Sequence, residues 1–140
     1  MSEFRIEGDF EMSADALWEV VSNFGEVSWL PGDPDFESEG EGVGMIRTIR
    51  TPPLPTVREQ LEAIDDAGRA IHYTVIDGIP MPVRDYHATM KVVDLGGGRS
   101  RLEWSSTWEP DGVSEEQARA SVQAVYTGVL GFMKANLEQR

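Results

Sequence analysis

The chain has 140 residues, 40% of them hydrophobic, and its 25 acidic and 12 basic side chains give a formal net charge of −13. It contains no cysteine, which excludes disulfide bonds, thiolate catalysis and metal sites built on sulfur. The negative charge argues against binding of nucleic acid or anionic lipid through bulk electrostatics. The length predicts one domain over residues 1–140. The sequence has no apolar run of about 18 residues and no signal-peptide pattern, so we expect a cytoplasmic protein that does not insert into membranes.

The N-terminal part of the sequence predicts a strand followed by two short helices. Apolar and charged residues alternate over residues 4–12, as in an antiparallel strand with one face in water. Ser13 is a typical N-cap, and the apolar spacing after it predicts a helix that Gly25 ends. Residues 26–31 predict a turn or a second short helix before the next strand.

Six further strands and a long helix are predicted for the rest of the chain. Alternating patterns predict strands at 35–41, 44–51, 56–65, 70–77, 83–94 and 99–109. Their short connections, rich in glycine and proline, indicate an antiparallel meander. Ser114 begins a capping-box pattern, and the apolar spacing after it predicts a helix that reaches Leu137.

This order of elements predicts an α+β fold in which a curved, seven-stranded antiparallel sheet wraps around the long C-terminal helix. Short patterns typical of one superfamily occur along nearly the full chain: Ala16-Leu17-Trp18, Trp29-Leu30-Pro31-Gly32, Gly42-Val43-Gly44-Met45-Ile46-Arg47, Arg58-Glu59-Gln60-Leu61 with Asp65, Tyr73, and Gly128-Val129-Leu130. With these patterns the chain resembles the START / polyketide cyclase–dehydrase (SRPBCC) superfamily, whose members have the helix-grip fold. The resemblance implies a carrier, receptor, cyclase or lyase, with aromatic or polyketide molecules as possible ligands.

One pair of opposite charges falls on the inward face of two neighbouring predicted strands. A hairpin that pairs Ile49 with Val57 places Arg47 opposite Glu59, with Leu61 on the same face as a further predicted binding residue. One interpretation is a buried ion pair that only fixes strand register, because an unpaired buried charge is costly. The other is a polar anchor for a ligand, in which Arg47 polarises a carbonyl and Glu59 serves as a general base.

Bulky residues on the inward faces of the later strands and of the last helix predict a cavity wall. Their hydroxyl and indole groups need partners when buried, and a ligand or water in a cavity would supply them. The alternative is that they are ordinary core, as aromatic residues at strand spacing usually are. The binding residues predicted on these elements are Tyr73, Tyr86, Met90, Trp104, Trp108, Val122, Tyr126 and Val129.

Two proline-rich loops carry apolar residues at what is predicted to be one end of the sheet. We predict that Leu54, Ile79 and Met81 form the mouth of the pocket. The alternative is that they plug the end of the sheet as minor core. In the last helix, Gly128 and Gly131 cost roughly 1 kcal/mol each relative to alanine, and they either permit close packing or leave room.

The sequence predicts the function only as a class. Its leading interpretation is a carrier or binding protein for a small hydrophobic molecule. The alternative is an enzyme of the cyclase, dehydratase or lyase kind, with Arg47, Glu59 and Tyr73 as candidate catalytic residues. His72 and His87 fall in the outward phase, so a histidine-based mechanism is not expected. We predict no cofactor, no metal site and no nucleic-acid partner, and the sequence gives no prediction of oligomeric state.

Overall fold

A computed structural model describes residues 1–30 and 34–138. The strands are β1 (Ser2–Phe10), β2 (Asp35–Glu39), β3 (Ile46–Arg50), β4 (Val57–Asp65), β5 (Ala70–Asp77), β6 (Val83–Gly96) and β7 (Arg99–Pro110), and the helices are α1 (Ala14–Ser22) and α2 (Glu115–Leu137). Every predicted strand is confirmed to within two residues at each end. No helix in the described ranges is long and apolar enough to span a bilayer.

The seven strands form one antiparallel sheet in the order β1-β7-β6-β5-β4-β3-β2. Short connections keep β2 to β7 adjacent in chain order, whereas β1 pairs with β7 at the far edge. The ladder is interrupted twice between β4 and β5 and twice between β6 and β7. Such bulges bend strands and increase their twist, which gives the sheet an inner face on which a helix can pack.

Of the two short helices predicted between the first two strands, the first is present and the second is not. The Ser13 hydroxyl caps α1 by accepting a hydrogen bond from the backbone of Ala16, and the helix ends at Ser22, before Gly25. Residues 23–30 form hydrogen-bonded turns instead of a helix. Pro31, the last residue of the predicted helix, lies outside the described residues.

Helix α2 lies across one side of the sheet and packs on β1 and β7. Its capping box at Ser114 is present as predicted. Gly8 in β1 permits this packing, because a Cβ at that position would lie 2.9 Å from the side chain of Leu130. The buried stripe of the helix consists of Ala118, Val122, Tyr126, Leu130, Met133 and Leu137. The neighbouring flank of α2 is only half-buried, and it borders an open space above the middle strands.

Candidate functional site

A cavity of about 440 Å³ lies between this flank of α2 and the inner face of the sheet. The volume is within the range of small-molecule sites, and most of the residues around the cavity are apolar. Ten of the predicted binding residues line it: Arg47, Leu54, Glu59, Tyr73, Met81, Tyr86, Met90, Trp104, Tyr126 and Val129. The sheet and the C-terminal helix therefore bring together predicted residues that are up to 82 positions apart in the chain.

The predicted pairing of Arg47 with Glu59 is confirmed. The two residues are direct partners across β3 and β4, as are Ile49 and Val57. The Arg47 Nε atom donates a 2.7 Å hydrogen bond to the Oε1 atom of Glu59. Only 4% of the Arg47 side chain and 12% of the Glu59 side chain are exposed, so this is a buried ion pair at the wall of the cavity.

Arg47 also holds the turn that follows α1. Its Nη1 atom donates a 3.1 Å hydrogen bond to the backbone carbonyl of Phe24. Its Cζ atom lies 3.9 Å from the centroid of the Phe24 ring and 5.3 Å from that of Tyr73. Cation–π contacts of this kind strengthen when they are removed from water. The guanidinium is therefore fixed on several sides, and its orientation does not depend on a ligand.

Three buried tyrosines occupy the inner part of the cavity wall. Tyr73 accepts a 3.1 Å hydrogen bond from the Nε1 atom of Trp104, and the hydroxyls of Tyr86 and Tyr126 are hydrogen bonded to each other. Burial raises the pKa of Tyr126 to about 12 and raises the pKa values of Tyr73 and Tyr86 well above 10. At neutral pH all three are uncharged hydroxyl groups that can donate hydrogen bonds.

Aromatic contacts hold these side chains in position. The rings of Trp104 and Tyr126 stack with centroids 3.7 Å apart and an interplanar angle of 6°. Phe4 from β1 meets the Tyr126 ring edge to face, with centroids 5.5 Å apart. Such contacts add to the burial energy and restrict the rings to one orientation. These contacts join Phe4 of β1, Trp104 of β7 and Tyr126 of α2 at the inner wall.

Turns and loops also contribute to the cavity wall. Leu54, with 62% of its surface exposed, and the buried Met81 come from the two proline-rich loops. Trp29 and Leu30, from the turn after α1, line the cavity as well. The Trp29 indole donates a 3.1 Å hydrogen bond to the carbonyl of Glu26, which orients it.

Four predicted binding residues do not line the cavity. Leu61, Trp108 and Val122 are buried in the core, and Ile79 packs against the core from its loop. The inward phase predicted for the first three is correct. Trp108 and Val122 are fully buried, and neither borders the cavity.

Several lining residues were not among the predicted binding residues. They are Trp29, Leu30, Ile49, Thr51, Pro55, Val57, Val75, Pro80, Ala124, Val125, Gly128 and Phe132. For the strand residues the signal was present, since they share the phase of Arg47, Glu59 and Tyr73. The turn residues carry no periodic signal. At Gly128 a Cβ atom would meet nothing within 4 Å, so this glycine leaves room and does not serve close packing.

The two histidines lie on the outer face, as predicted. The Nδ1 atom of His72 is 2.8 Å from the Thr89 hydroxyl, and that of His87 is 2.8 Å from the Glu62 carboxylate. Both rings are exposed and lie outside the cavity. Within residues 1–30 and 34–138 there is no group of three or more histidine or acidic side chains that could hold a metal ion.

Solved structures share this architecture. An uncharacterised protein from Bacillus thuringiensis superposes with a TM-score of 0.84 at 24% identity, with 97% of this chain and 98% of that chain covered. Norcoclaurine synthase from Thalictrum flavum, in complex with dopamine and hydroxybenzaldehyde, gives 0.76 at 23% identity, with 99% and 84% covered. The protein Ara h 8.0201 gives 0.78 at 18% identity, with 99% of both chains covered. At these identities the similarities show the fold alone.

Sequence comparison shows the family. No curated protein matches the sequence of this chain. Residues 1–138 match the family described as polyketide cyclase / dehydrase and lipid transport. That match spans all seven strands and both helices. The chain therefore belongs to the polyketide cyclase / dehydrase and lipid transport family.

Proposed function

We propose that the protein binds a small, largely apolar molecule that contains aromatic rings. The observation that carries this proposal is the cavity of about 440 Å³, whose largely apolar wall includes the Arg47–Glu59 pair and Tyr73. An apolar surface of this extent supplies affinity, and a few fixed polar groups supply orientation.

The volume limits the size of the ligand. A dry protein cavity of about 150 Å³ is large enough to bind benzene. The cavity here is roughly three times that volume, which favours a molecule of two or three rings. The stacked pair of Trp104 and Tyr126 offers such a molecule flat aromatic surface.

Relatives of the same fold support a ligand of this kind. Norcoclaurine synthase, which has this architecture, is known in complex with two aromatic compounds, dopamine and hydroxybenzaldehyde. The family description includes both cyclases and lipid transport. A binding function is common to both activities, so it is the function we propose first.

Binding can be tested with N-phenyl-1-naphthylamine, an uncharged dye whose fluorescence rises in apolar surroundings. We expect saturable binding of one dye per chain. The variant Gly128→Phe should weaken it at least tenfold, because a helical side chain leans toward the preceding turn and would cover Ala124 and Val125, which line the cavity. Ala120→Phe is the matched control, since Ala120 is also exposed on α2, and neither it nor the residues of the preceding turn line the cavity. The proposal would be contradicted if wild-type protein did not raise the fluorescence of the dye. It would also be contradicted if Gly128→Phe bound the dye as tightly as wild type.

A second candidate function is an enzyme of the cyclase, dehydratase or lyase kind. It is favoured by the presence of a carboxylate and a tyrosine hydroxyl, Glu59 and Tyr73, on the wall of one cavity, because a carboxylate and a hydroxyl can move protons on a confined ligand. The test is to incubate the protein with dopamine and hydroxybenzaldehyde and to follow product by mass spectrometry. An enzyme that uses Glu59 for proton transfer should lose about 10²–10⁴ in rate in Glu59→Gln. If wild type forms no product from this pair, the binding function is favoured.

A further inference from the structure

The charges in the cavity wall cancel. Among the described residues that line the cavity, Arg47 and Glu59 are the two that carry charge. Their side chains are 2.7 Å apart, and together they contribute no net charge to the site. A ligand carboxylate would therefore not meet an uncompensated cation in this cavity.

Hydrogen-bonding capacity nevertheless remains at this end of the cavity. In the described part of the chain, the Arg47 Nη2 atom donates to no acceptor, and the Glu59 Oε2 atom accepts from no donor. Tyr73 accepts from Trp104 and is left with its own proton to donate. A ligand can therefore receive hydrogen bonds from Arg47 or Tyr73 and donate one to Glu59.

We propose that Glu59 sets the charge selectivity of the cavity, which accepts neutral aromatic molecules with a hydroxyl or amide group and excludes aromatic carboxylates. This proposal rests on the binding function proposed above and specifies its ligand class. A neutral hydroxyl or amide can donate to the free oxygen of Glu59, which leaves the ion pair with Arg47 intact. A carboxylate cannot donate that bond, and it would bring a second negative charge beside Glu59 in a poorly hydrated site.

The position of the guanidinium strengthens this selectivity. In its observed position Arg47 can offer a ligand carboxylate only its free Nη2 atom, and turning the guanidinium away from Glu59 would break the hydrogen bond to the Phe24 carbonyl and the contact with the Phe24 ring. The net charge of −13 on the whole chain further disfavours an anionic ligand.

The test uses three probes of one ring system: 2-naphthol, 2-naphthamide and 2-naphthoate. At pH 7 the first two are neutral and the third is ionised, and the amide and the carboxylate have nearly the same shape. Dissociation constants from titration calorimetry should show that wild type binds 2-naphthol and 2-naphthamide at least tenfold more tightly than 2-naphthoate. This comparison needs no substitution, and equal or tighter binding of 2-naphthoate would overturn the proposal.

The variant Glu59→Gln tests the residue itself. It leaves Arg47 without its counter-charge, so 2-naphthoate should gain at least tenfold in affinity relative to 2-naphthamide. Glu62→Gln is the matched control, because Glu62 lies on the same strand and pairs with His87 on the outer face. Glu62→Gln should leave the ratio of the 2-naphthoate and 2-naphthamide affinities at its wild-type value. A ratio in Glu59→Gln equal to that in wild type would overturn the proposal while the binding function stands. No binding of any of the three probes would contradict both.

Discussion

Glu59→Gln keeps the shape of the side chain and removes its charge, so it isolates the energetic role of the ion pair in the cavity wall. Only 4% of the Arg47 side chain is exposed. In the variant, this buried guanidinium loses the carboxylate that balances its positive charge. Breaking a buried ion pair by removing one partner typically costs about 3–5 kcal/mol. Glu59 is 12% exposed, and the glutamine oxygen can still accept a hydrogen bond, so we expect a loss of about 2–3 kcal/mol in the free energy of unfolding.

Strand β3, which contains Arg47, also contributes Arg50 to an exposed ion pair with Glu37 of β2. Arg50 and Glu37 also have a nitrogen–oxygen distance of 2.7 Å, but 39% and 57% of their side chains are exposed. Exposed pairs contribute little, because water and salt screen them. Glu37→Gln should therefore leave the midpoint of urea unfolding nearly unchanged. Both pairs have the same nitrogen–oxygen distance, so any difference between the two variants in the free energy of unfolding reports the effect of burial.

The assay is urea unfolding followed by circular dichroism, with thermal unfolding as a second measurement. At a chain length near 150 residues, 1 kcal/mol corresponds to about 2–4 °C, so Glu59→Gln should lower the midpoint of thermal unfolding by about 5–10 °C. The slope of the urea dependence should not change. The double variant Arg47→Met with Glu59→Leu should recover most of the loss, because no buried charge remains. Equal midpoints for Glu59→Gln and Glu37→Gln would refute the reasoning.

Three further predictions concern the helix, the tyrosines and the mouth of the cavity. Gly128→Ala and Gly131→Ala should each raise the free energy of unfolding by up to about 1 kcal/mol, but only the former, which lines the cavity, should weaken binding of N-phenyl-1-naphthylamine; a loss of affinity in both would contradict this. Burial raises the pKa of Tyr126 from 10.0 to about 12. Between these two pH values the Tyr126 hydroxyl keeps its proton in the folded state and loses it in the unfolded state. Stability should therefore be complete below pH 10 and fall as pH rises toward 12, by about 2–3 kcal/mol more in wild type than in Tyr126→Phe; parallel pH profiles would be the contrary result. Leu54→Ala should leave the unfolding midpoint unchanged, since the side chain is 62% exposed, and should weaken dye binding; unchanged dye binding would show that Leu54 is not part of the mouth.

The sheet could be predicted from the sequence because its signals are local. Alternation of apolar and polar residues fixed the phase of each strand, and the phases of β3 and β4 led to the register that pairs Arg47 with Glu59. The Ser114 capping box marked the start of α2. Each of these features depends on neighbours within a few residues, so a single sequence contains the information.

The boundary between core and cavity could not be predicted, because it depends on where α2 lies on the sheet. Val122 and Val129 are two turns apart on the helix, yet the first is buried in the core and the second lies on the half-buried flank that borders the cavity. Trp29 reaches the cavity through a turn that has no periodic pattern and that Arg47 holds through the Phe24 carbonyl. Such long-range contacts are decided by tertiary packing and leave no local pattern.

The most direct test of the central claim is to locate a bound molecule by nuclear magnetic resonance. Intermolecular Overhauser effects would be measured between unlabelled N-phenyl-1-naphthylamine and the methyl groups of isotope-labelled protein. Binding in the cavity predicts contacts to the methyl groups of Ile49, Val75 and Val129, which line it, and none to those of Val92, which is buried elsewhere in the core. Contacts confined to methyl groups outside the cavity, or a complete absence of contacts at saturating dye, would contradict the claim that this cavity binds small apolar molecules.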